Sequence, residues 1–399
     1  MKRGSFQAMK RLNKSLILNK ILNDGPISRA EIAKDIKLTP PTVGTIVKEL
    51  IEQQIVKESA QGESKGGRKP TLLVVDHEAF YVIGIDAGPR DVTIVLTNLQ
   101  ADMIDTAKTD VPVGISKEAY LQLLIEETDG LINRNASYMD QLIGIGVAMH
   151  GVVDAERGVG LYAPNLNLRD IPVKDVLTGH FDLVVQVEND ARALALAETW
   201  FGEGKGINNL LAVNIGSGVG AGVVIDDELY RGKAHIAGEI GHMTIDLHGD
   251  VCTCGNRGCL QTIVSGEAIQ KRAEQAIKAG ADTLLTHQSP TAYDLYQAAE
   301  QGDAFSQHLL TETAEAIGVG LTNVIHTINP DRVLLNGGVM KASKYLLPEI
   351  QRTVASRALT AQAKDTPILV SKLGDNASAL GAVALILVEL FKRNGEIDV

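Results

Sequence analysis

Gly238-Glu239-Ile240-Gly241-His242 and, ten residues beyond that histidine, Cys252-Thr253-Cys254-Gly255-Asn256-Arg257-Gly258-Cys259 contain every cysteine of this 399-residue chain. Three thiolates and an imidazole are the donor set of a tetrahedral Zn²⁺. Four protein ligands leave no open position, which marks a structural rather than a catalytic site. Three cysteines fit no complete set of disulfides, and in a reducing compartment such a cluster points to metal. Gly255 and Gly258 let the backbone curl around the ion. The expected ligands of a structural Zn²⁺ are therefore His242, Cys252, Cys254 and Cys259.

Outward from this cluster the chain alternates strands with helices. Leu210–Ile215 and Val219–Ile225 read as a hairpin around the Gly216-Ser217-Gly218 turn. Tyr81–Asp86, Val92–Thr97, Leu142–Ala148 and Leu183–Val187 are apolar runs of strand length, and Val333–Leu335 is a late one. Residues 118–134 have helical periodicity, and helices dominate beyond the cysteines. The pattern predicts an α/β body beginning near Phe80. No tandem repeat of short period is visible.

The first 75 residues read differently, as three helices and a hairpin. Leu12, Leu16, Ile17, Ile21 and Leu22 form an apolar stripe at helical spacing, ended by Gly25-Pro26. Ser28-Arg29-Ala30-Glu31 is a capping box that opens a second helix. Thr39-Pro40 offers an N-cap with proline at the first helical position. The third helix carries Val43, Ile46, Val47, Leu50 and Ile51 on its inner side. Ile55–Lys57 and Thr71–Val75 read as strands joined by a polar, Gly-rich stretch over 62–70. This is the order of a winged helix-turn-helix. Such a unit places its recognition helix in the major groove, with N-terminal residues at base edges. Here those are Thr39, Thr42, Thr45 and Lys48, with Gly44 permitting close approach. Arg29 is expected on phosphate, and Arg68 or Lys69 at the wing tip in the minor groove.

Charge supports the division. The chain carries a net −11, yet residues 1–75 hold 14 Lys/Arg against 7 Asp/Glu, leaving 24 against 42 in the remainder. A basic head on an acidic body suits a head that meets a polyanion, since neutralised phosphates release counterions. The length allows two or three domains. No apolar run is long enough to span a bilayer. The basic N-terminus, broken by Asn13, Lys14 and Asn19, is no signal peptide, so the expected compartment is the cytoplasm, with no membrane partner.

The residues around the cysteines, together with Glu188-Asn189-Asp190-Ala191 and Asn214-Ile215-Gly216-Ser217-Gly218-Val219-Gly220-Ala221-Gly222, resemble those of the ROK family of sugar kinases and sugar-responsive repressors. The resemblance covers essentially the whole chain. The head and its Gly66-Gly67-Arg68-Lys69-Pro70 wing are similar to the repressor branch, particularly the xylose repressors of Gram-positive bacteria. It implies a winged helix-turn-helix over residues 1–76 and a two-lobed, actin-like (ribonuclease H-like) ROK domain over 80–399. Within that domain the small lobe is expected over about 80–188, the large lobe over about 189–380 and a C-terminal helix over about 381–393. The family's sugar contacts carry over to Asn165, Asn189, Asp190, Glu239 and His242. Sugar hydroxyls both donate and accept, so amides and carboxylates in fixed orientation suit them. His242 would serve twice, one ring nitrogen on zinc and the other facing a hydroxyl.

Kinase and sensor diverge at the phosphate turns. In kinases of the family the equivalent of Asp190 is the catalytic base, and two Gly-rich turns hold the phosphates of ATP. The second turn is intact at Gly216–Gly220, but the family's Asp-x-Gly-Gly-Thr stands here as Asp86-Ala87-Gly88-Pro89-Arg90. Pro89 removes a backbone donor, and Arg90 replaces a hydroxyl with a bulky cation. Two further departures border the pocket: Gln261 after Leu260, where a carboxylate is common, and His150 where the strand-end turn usually carries proline. The resemblance thus implies a repressor of carbohydrate-utilisation genes, without useful kinase activity. Operator DNA, a sugar such as xylose or a hexose, and a second or fourth copy of the chain are its expected partners. The alternative is an ATP-dependent sugar kinase bearing a DNA-binding head.

Overall fold

A computed structural model describes residues 6–61, 70–285 and 289–394. The wing positions Arg68 and Lys69 lie outside the described residues. The head consists of α1 (Phe6–Asp24), β1 (Ile27–Ser28), α2 (Arg29–Asp35), α3 (Pro40–Glu52), β2 (Val56–Gln61) and β3 (Thr71–Val75). Its sheet is antiparallel in the order β1-β3-β2. The starts of α2 and α3 follow their capping residues. Ser28 and Glu31 cap each other reciprocally, and Thr39 accepts from the Thr42 amide with prolines in the first turn. The stripe on α1 is corrected: Leu12 and Leu16 are 60% and 43% exposed, while Ile17, Leu18 and Ile21 are buried together with Lys14 and Ser15. The helix turns a partly polar face inward because it packs on the far end of the chain. Ser15 Oγ and Asn19 Nδ2 both donate to the Phe391 carbonyl, at 2.7 and 2.8 Å.

The body begins with β4 (Tyr81–Ala87), β5 (Asp91–Asn98), β6 (Met103–Asp110), α4 (Lys117–Arg134) and β7 (Leu142–Met149). A small sheet of β8 (Val152–Asp154), β9 (Val159–Ala163) and β10 (Leu168–Ile171) follows, then α5 (Val173–Phe181), β11 (Val185–Asn189) and α6 (Asp190–Phe201). The first large sheet runs β11-β7-β4-β5-β6, an antiparallel meander extended by two parallel strands.

The second half contains β12 (Leu210–Ile215), β13 (Val219–Ile225), β14 (Glu228–Tyr230), α7 (Gln261–Val264), α8 (Gly266–Lys278), α9 (Ala292–Glu300) and α10 (Ala304–Ile328). It ends with β15 (Arg332–Asn336), α11 (Ser343–Arg357), α12 (Ala361–Lys364), β16 (Ile368–Val370), α13 (Ala377–Val388) and a π-helical turn over Glu389–Asn394. Its sheet, β14-β13-β12-β15-β16, repeats the plan of the first: a meander plus two parallel strands. Two such sheets are the actin-like architecture. The strands that were not legible in the sequence are β6, β8 to β10, β14 and β16. β8, β10, β14 and β16 have only three or four residues and β6 is mostly exposed and polar, while β9 is an apolar run interrupted by Gly160.

Between the sheets lie α6 and α13. α13 packs on β4 and β7, and α6 on β12 and β13. The contact is close because small residues make it. A methyl group added at Gly146 would collide with the Ala382 backbone, and one at Gly381 with that of Ala193. The expectation that no apolar run is long enough to span a bilayer is corrected: among the described residues, Gly374–Phe391 is a helical segment long and apolar enough to cross one, with mean hydropathy 1.4. It is 67% buried inside the protein. Its end joins the head: Ile17, Leu18, Ile21 and Leu50 share one apolar core with Val82, Leu387, Leu390 and Phe391.

Candidate functional site

The metal cluster forms on the loop between β14 and α7. Gly238 has φ +90° and no room for a side chain against the Ala221 carbonyl of β13, so the loop lies tight on that strand and fixes Glu239 and His242. The ligand atoms of His242, Cys252, Cys254 and Cys259 lie within 4.8 Å of one another. The Cys254 and Cys259 sulfurs are 3.8 Å apart, and Cys252 Sγ is 3.6 Å from His242 Nδ1. Metal–sulfur bonds of about 2.3 Å give a tetrahedral edge of about 3.8 Å, so the donors present fit Zn²⁺ in spacing and in kind. Hydrogen bonds to the Cys252 sulfur, chiefly from the Cys254 backbone, outweigh its burial and lower that thiol to about 6. Burial and the neighbouring sulfurs raise Cys259 to about 12. Gln261 Nε2 also donates to Cys252 Sγ, at 3.3 Å.

The second set of residues meets at the N-terminus of α6. Asn189 caps that helix, its Oδ1 accepting from the Arg192 amide at 3.0 Å. Its Nδ2 donates to the Gly151 carbonyl and to Asp190 Oδ1, both at 2.8 Å. Asn189 is buried and spent on these bonds, and thereby orients Asp190. Behind it stands a charge cluster that sequence reasoning missed. Glu188 is fully buried and holds Arg192 Nε at 2.7 Å and Arg231 Nε at 2.6 Å. Arg192 in turn donates to the carbonyls of Val153 in the small sheet and His235 in the second half. Glu188 is the penultimate residue of β11 and Arg192 lies in the first turn of α6, so no helical spacing announced the pair.

Asp190 Oδ2 lies 3.4 Å from His150 Nδ1 at the end of β7. Burial disfavours the charged imidazole, but the Asp190 hydrogen bond, the charges of Asp190 and Asp86 and the Asn165 side chain outweigh it and raise His150. Asp86 beneath is pushed to about 7 by burial and by the Asp190 and Asp91 carboxylates. Glu239, raised by burial, lies 3.9 Å from His242 Nε2 and feels the charges of Asp190 and His150. Asn165, His150, Asp190, Glu239 and His242 therefore stand close together, contributed by both halves of the body.

On the head, Thr39, Pro40, Pro41, Thr45 and Lys48 are exposed along the start of α3, and nothing lies near Gly44. Thr39 and Thr42 hydroxyls are 2.8 Å apart, and Thr45 donates to the Pro41 carbonyl. Arg29 is engaged by Glu58 of β2 at 2.9 Å, and Lys48 stands 3.7 Å from Glu52.

Comparison with known proteins agrees with both parts. Residues 82–389 match the ROK family, and residues 11–57 match a winged helix-turn-helix DNA-binding family. The chain belongs to the ROK family. It is 34% identical over 391 residues to the xylose repressor of Caldicellulosiruptor bescii, covering 97% of this chain and 98% of that one. Among solved structures it resembles a ROK transcriptional regulator homologous to the E. coli MLC protein, with TM-score 0.87, 29% identity and coverage of 96% and 97%. It also resembles a ROK glucokinase from Streptomyces griseus in complex with glucose and AMPPNP, with TM-score 0.68, 27% identity and coverage of 76% and 98%.

The transcriptional regulator covers 96% of this chain, whereas the glucokinase, itself 98% covered, reaches only 76% of it. At the Asp86–Arg90 turn, Arg90 reaches across the body to Glu267 on the first turn of α8, at 3.1 Å. The neighbouring Gly266 amide donates to the Gly216 carbonyl of the second Gly-rich turn at 2.7 Å. The start of α8 thus links the two turns, through an ion pair to one and a backbone hydrogen bond to the other.

Proposed function

We propose that this protein is a sugar-responsive transcriptional repressor of carbohydrate-utilisation genes, released from its operator by a small sugar such as xylose or a hexose. The observation that carries the reading is the pairing of two features: a cleft of donors and acceptors at the start of α6, and a DNA-binding head built into the same core as the helix packed on α6. In this reading Asn165, Asp190, Glu239 and His242 hold the sugar, with Asn189 behind them. Thr39, Thr42, Thr45 and Lys48 face bases, while Arg29, Arg68 and Lys69 meet backbone or minor groove. Zn²⁺ on His242, Cys252, Cys254 and Cys259 stiffens the cleft wall. A single head offers few base contacts, so a homodimer or homotetramer on a near-palindromic operator, acting in the cytoplasm, completes the picture.

Release rather than phosphorylation is the output. Pro89 lacks a donor for phosphate, and Arg90 is turned to Glu267. A ligand shifts an equilibrium only by its differential affinity for the two states, so sugar must bind more weakly to the operator complex, by the same factor. The test is fluorescence anisotropy on DNA from the protein's own promoter region, with a panel of sugars, with and without ATP, alongside an assay for phosphorylated sugar. Release by sugar alone is the expected result. Release that requires ATP, or sugar phosphate formed at a rate matching release, would replace this reading with the kinase one.

A further inference from the structure

We propose that His150 is a positioning residue of the effector cleft, holding the Asp190 carboxylate so that it offers the sugar one fixed acceptor site. This rests on the cleft being the sugar site. A carboxylate has about four lone-pair positions. At Asp190, Oδ1 accepts from Asn189 Nδ2 and from the Ala191 amide, both at 2.8 Å. Oδ2 faces His150 Nδ1 at 3.4 Å. One position remains, enough for one hydroxyl and too little for a two-pronged grip.

The His150 ring is well placed for this role. Its side chain is only 14% exposed, and Nε2 is enclosed without a hydrogen-bond partner, with the Asn165 side chain alongside. The charged groups around it are Asp190 on α6, Asp86 on β4 and, across the cleft, Glu239. Asp91 and Lys108 act on Asp86 from behind, with Tyr120 of α4 packed there. Asp190 and Glu239, and Asp86 once it has lost its own proton, favour the imidazolium. A charged donor makes a hydrogen bond roughly twice as strong as a neutral one, so Asp190 is held most firmly while His150 carries its proton. Effector affinity should be highest at low pH and fall as pH rises through the titration of His150.

Calorimetric titration of D-xylose and D-glucose into the zinc-loaded, full-length protein between pH 6 and 9 tests this. Wild type should lose affinity several-fold across that range. His150→Ala should bind about tenfold more weakly, the scale of one lost charged hydrogen bond. His150→Gln, which keeps a donor but cannot titrate, should recover part of the affinity with a flat pH profile. Circular dichroism and metal content verify that each variant is folded. A flat wild-type profile, or a His150→Gln variant that keeps the wild-type pH dependence, overturns the role of His150. So does binding that Asp190→Asn abolishes and His150→Ala leaves intact. If folded wild type binds no sugar at any pH, the cleft reading itself fails and this role falls with it.

Discussion

At the scale of single residues, Asp86 and Cys254 carry the clearest consequences. Asp86 keeps its proton to about pH 7 in the fold because burial and the Asp190 carboxylate oppose its charge, whereas an unfolded Asp releases it near 4. Folding therefore takes up a proton between those values, and the contribution of this residue to stability falls as pH rises through the window. Asp86→Asn should remove that cost. Its melting temperature relative to wild type should climb from pH 4 to pH 7 and then level off, as differential scanning fluorimetry would register. Cys254 is exposed, so losing its side chain opens no large cavity. Cys254→Ser should nonetheless lower Tm and reduce bound zinc from one per chain to well below that, because metal binding at such a site is coupled to folding. Metal analysis of protein purified without added zinc provides the check. A variant with full Tm and no metal would make the cluster an ordinary set of thiols.

At the scale of elements, the α6/α13 layer is where the body is least forgiving. Gly146 on β7 and Gly381 on α13 are glycines because backbone sits where their side chains would be. Gly146→Ala should cost about 1–3 kcal/mol or more through overpacking. The start of α6 is tied down by the fully buried pair of Glu188 and Arg192, with Arg192 also donating to the carbonyls of Val153 and His235. Breaking a buried pair typically costs about 3–5 kcal/mol, and without Arg192 the buried Glu188 keeps Arg231 alone, which places the loss at the low end of that range. Arg192→Met should show that loss in urea unfolding, and should weaken sugar binding in any protein that remains folded, since Asn189 and Asp190 follow the helix start. The surface pair Arg90–Glu267 is different. Both side chains are more than one-third exposed, and such pairs are worth about 0–1 kcal/mol.

At the scale of the molecule, the head is built into the body rather than tethered to it. Ser15 and Asn19 of α1 both bond the Phe391 carbonyl, and α1 shares its apolar core with the end of α13. From Asp190 the contacts run through α6 to α13, and from the end of α13 to α1. A change at the cleft can reach the head only if some packed element has two arrangements, and this is a continuous packed route for it. Ser15→Ala with Asn19→Ala should leave sugar affinity close to wild type while shrinking the fold-reduction in operator affinity that sugar produces. Anisotropy titrations with and without saturating sugar measure that ratio. An unchanged ratio would assign the coupling to another contact between head and body.

What the sequence determined by itself was local chemistry. Ser28 with Glu31, and Thr39 with Pro40, specify helix starts through bonds within four residues, so they were legible without a fold. The three cysteines and His242 were legible because a metal demands particular donor types, and three of the four stand within eight positions. The alternation of buried strands and helices gave the α/β class. Tertiary structure decided everything that depends on distant partners. Leu12 and Leu16 obey helical spacing yet face outward, because the far end of the chain, at Phe391, selects a different face of α1. Glu188 looks like any surface acid until Arg192 and Arg231 enclose it. His150 could be flagged as unusual, but its grip on Asp190, forty positions away, exists only once β7 and α6 are brought side by side. Local bonds are encoded in neighbouring letters. Burial and charge pairing are properties of the packed whole, and the sequence expresses them only through folding.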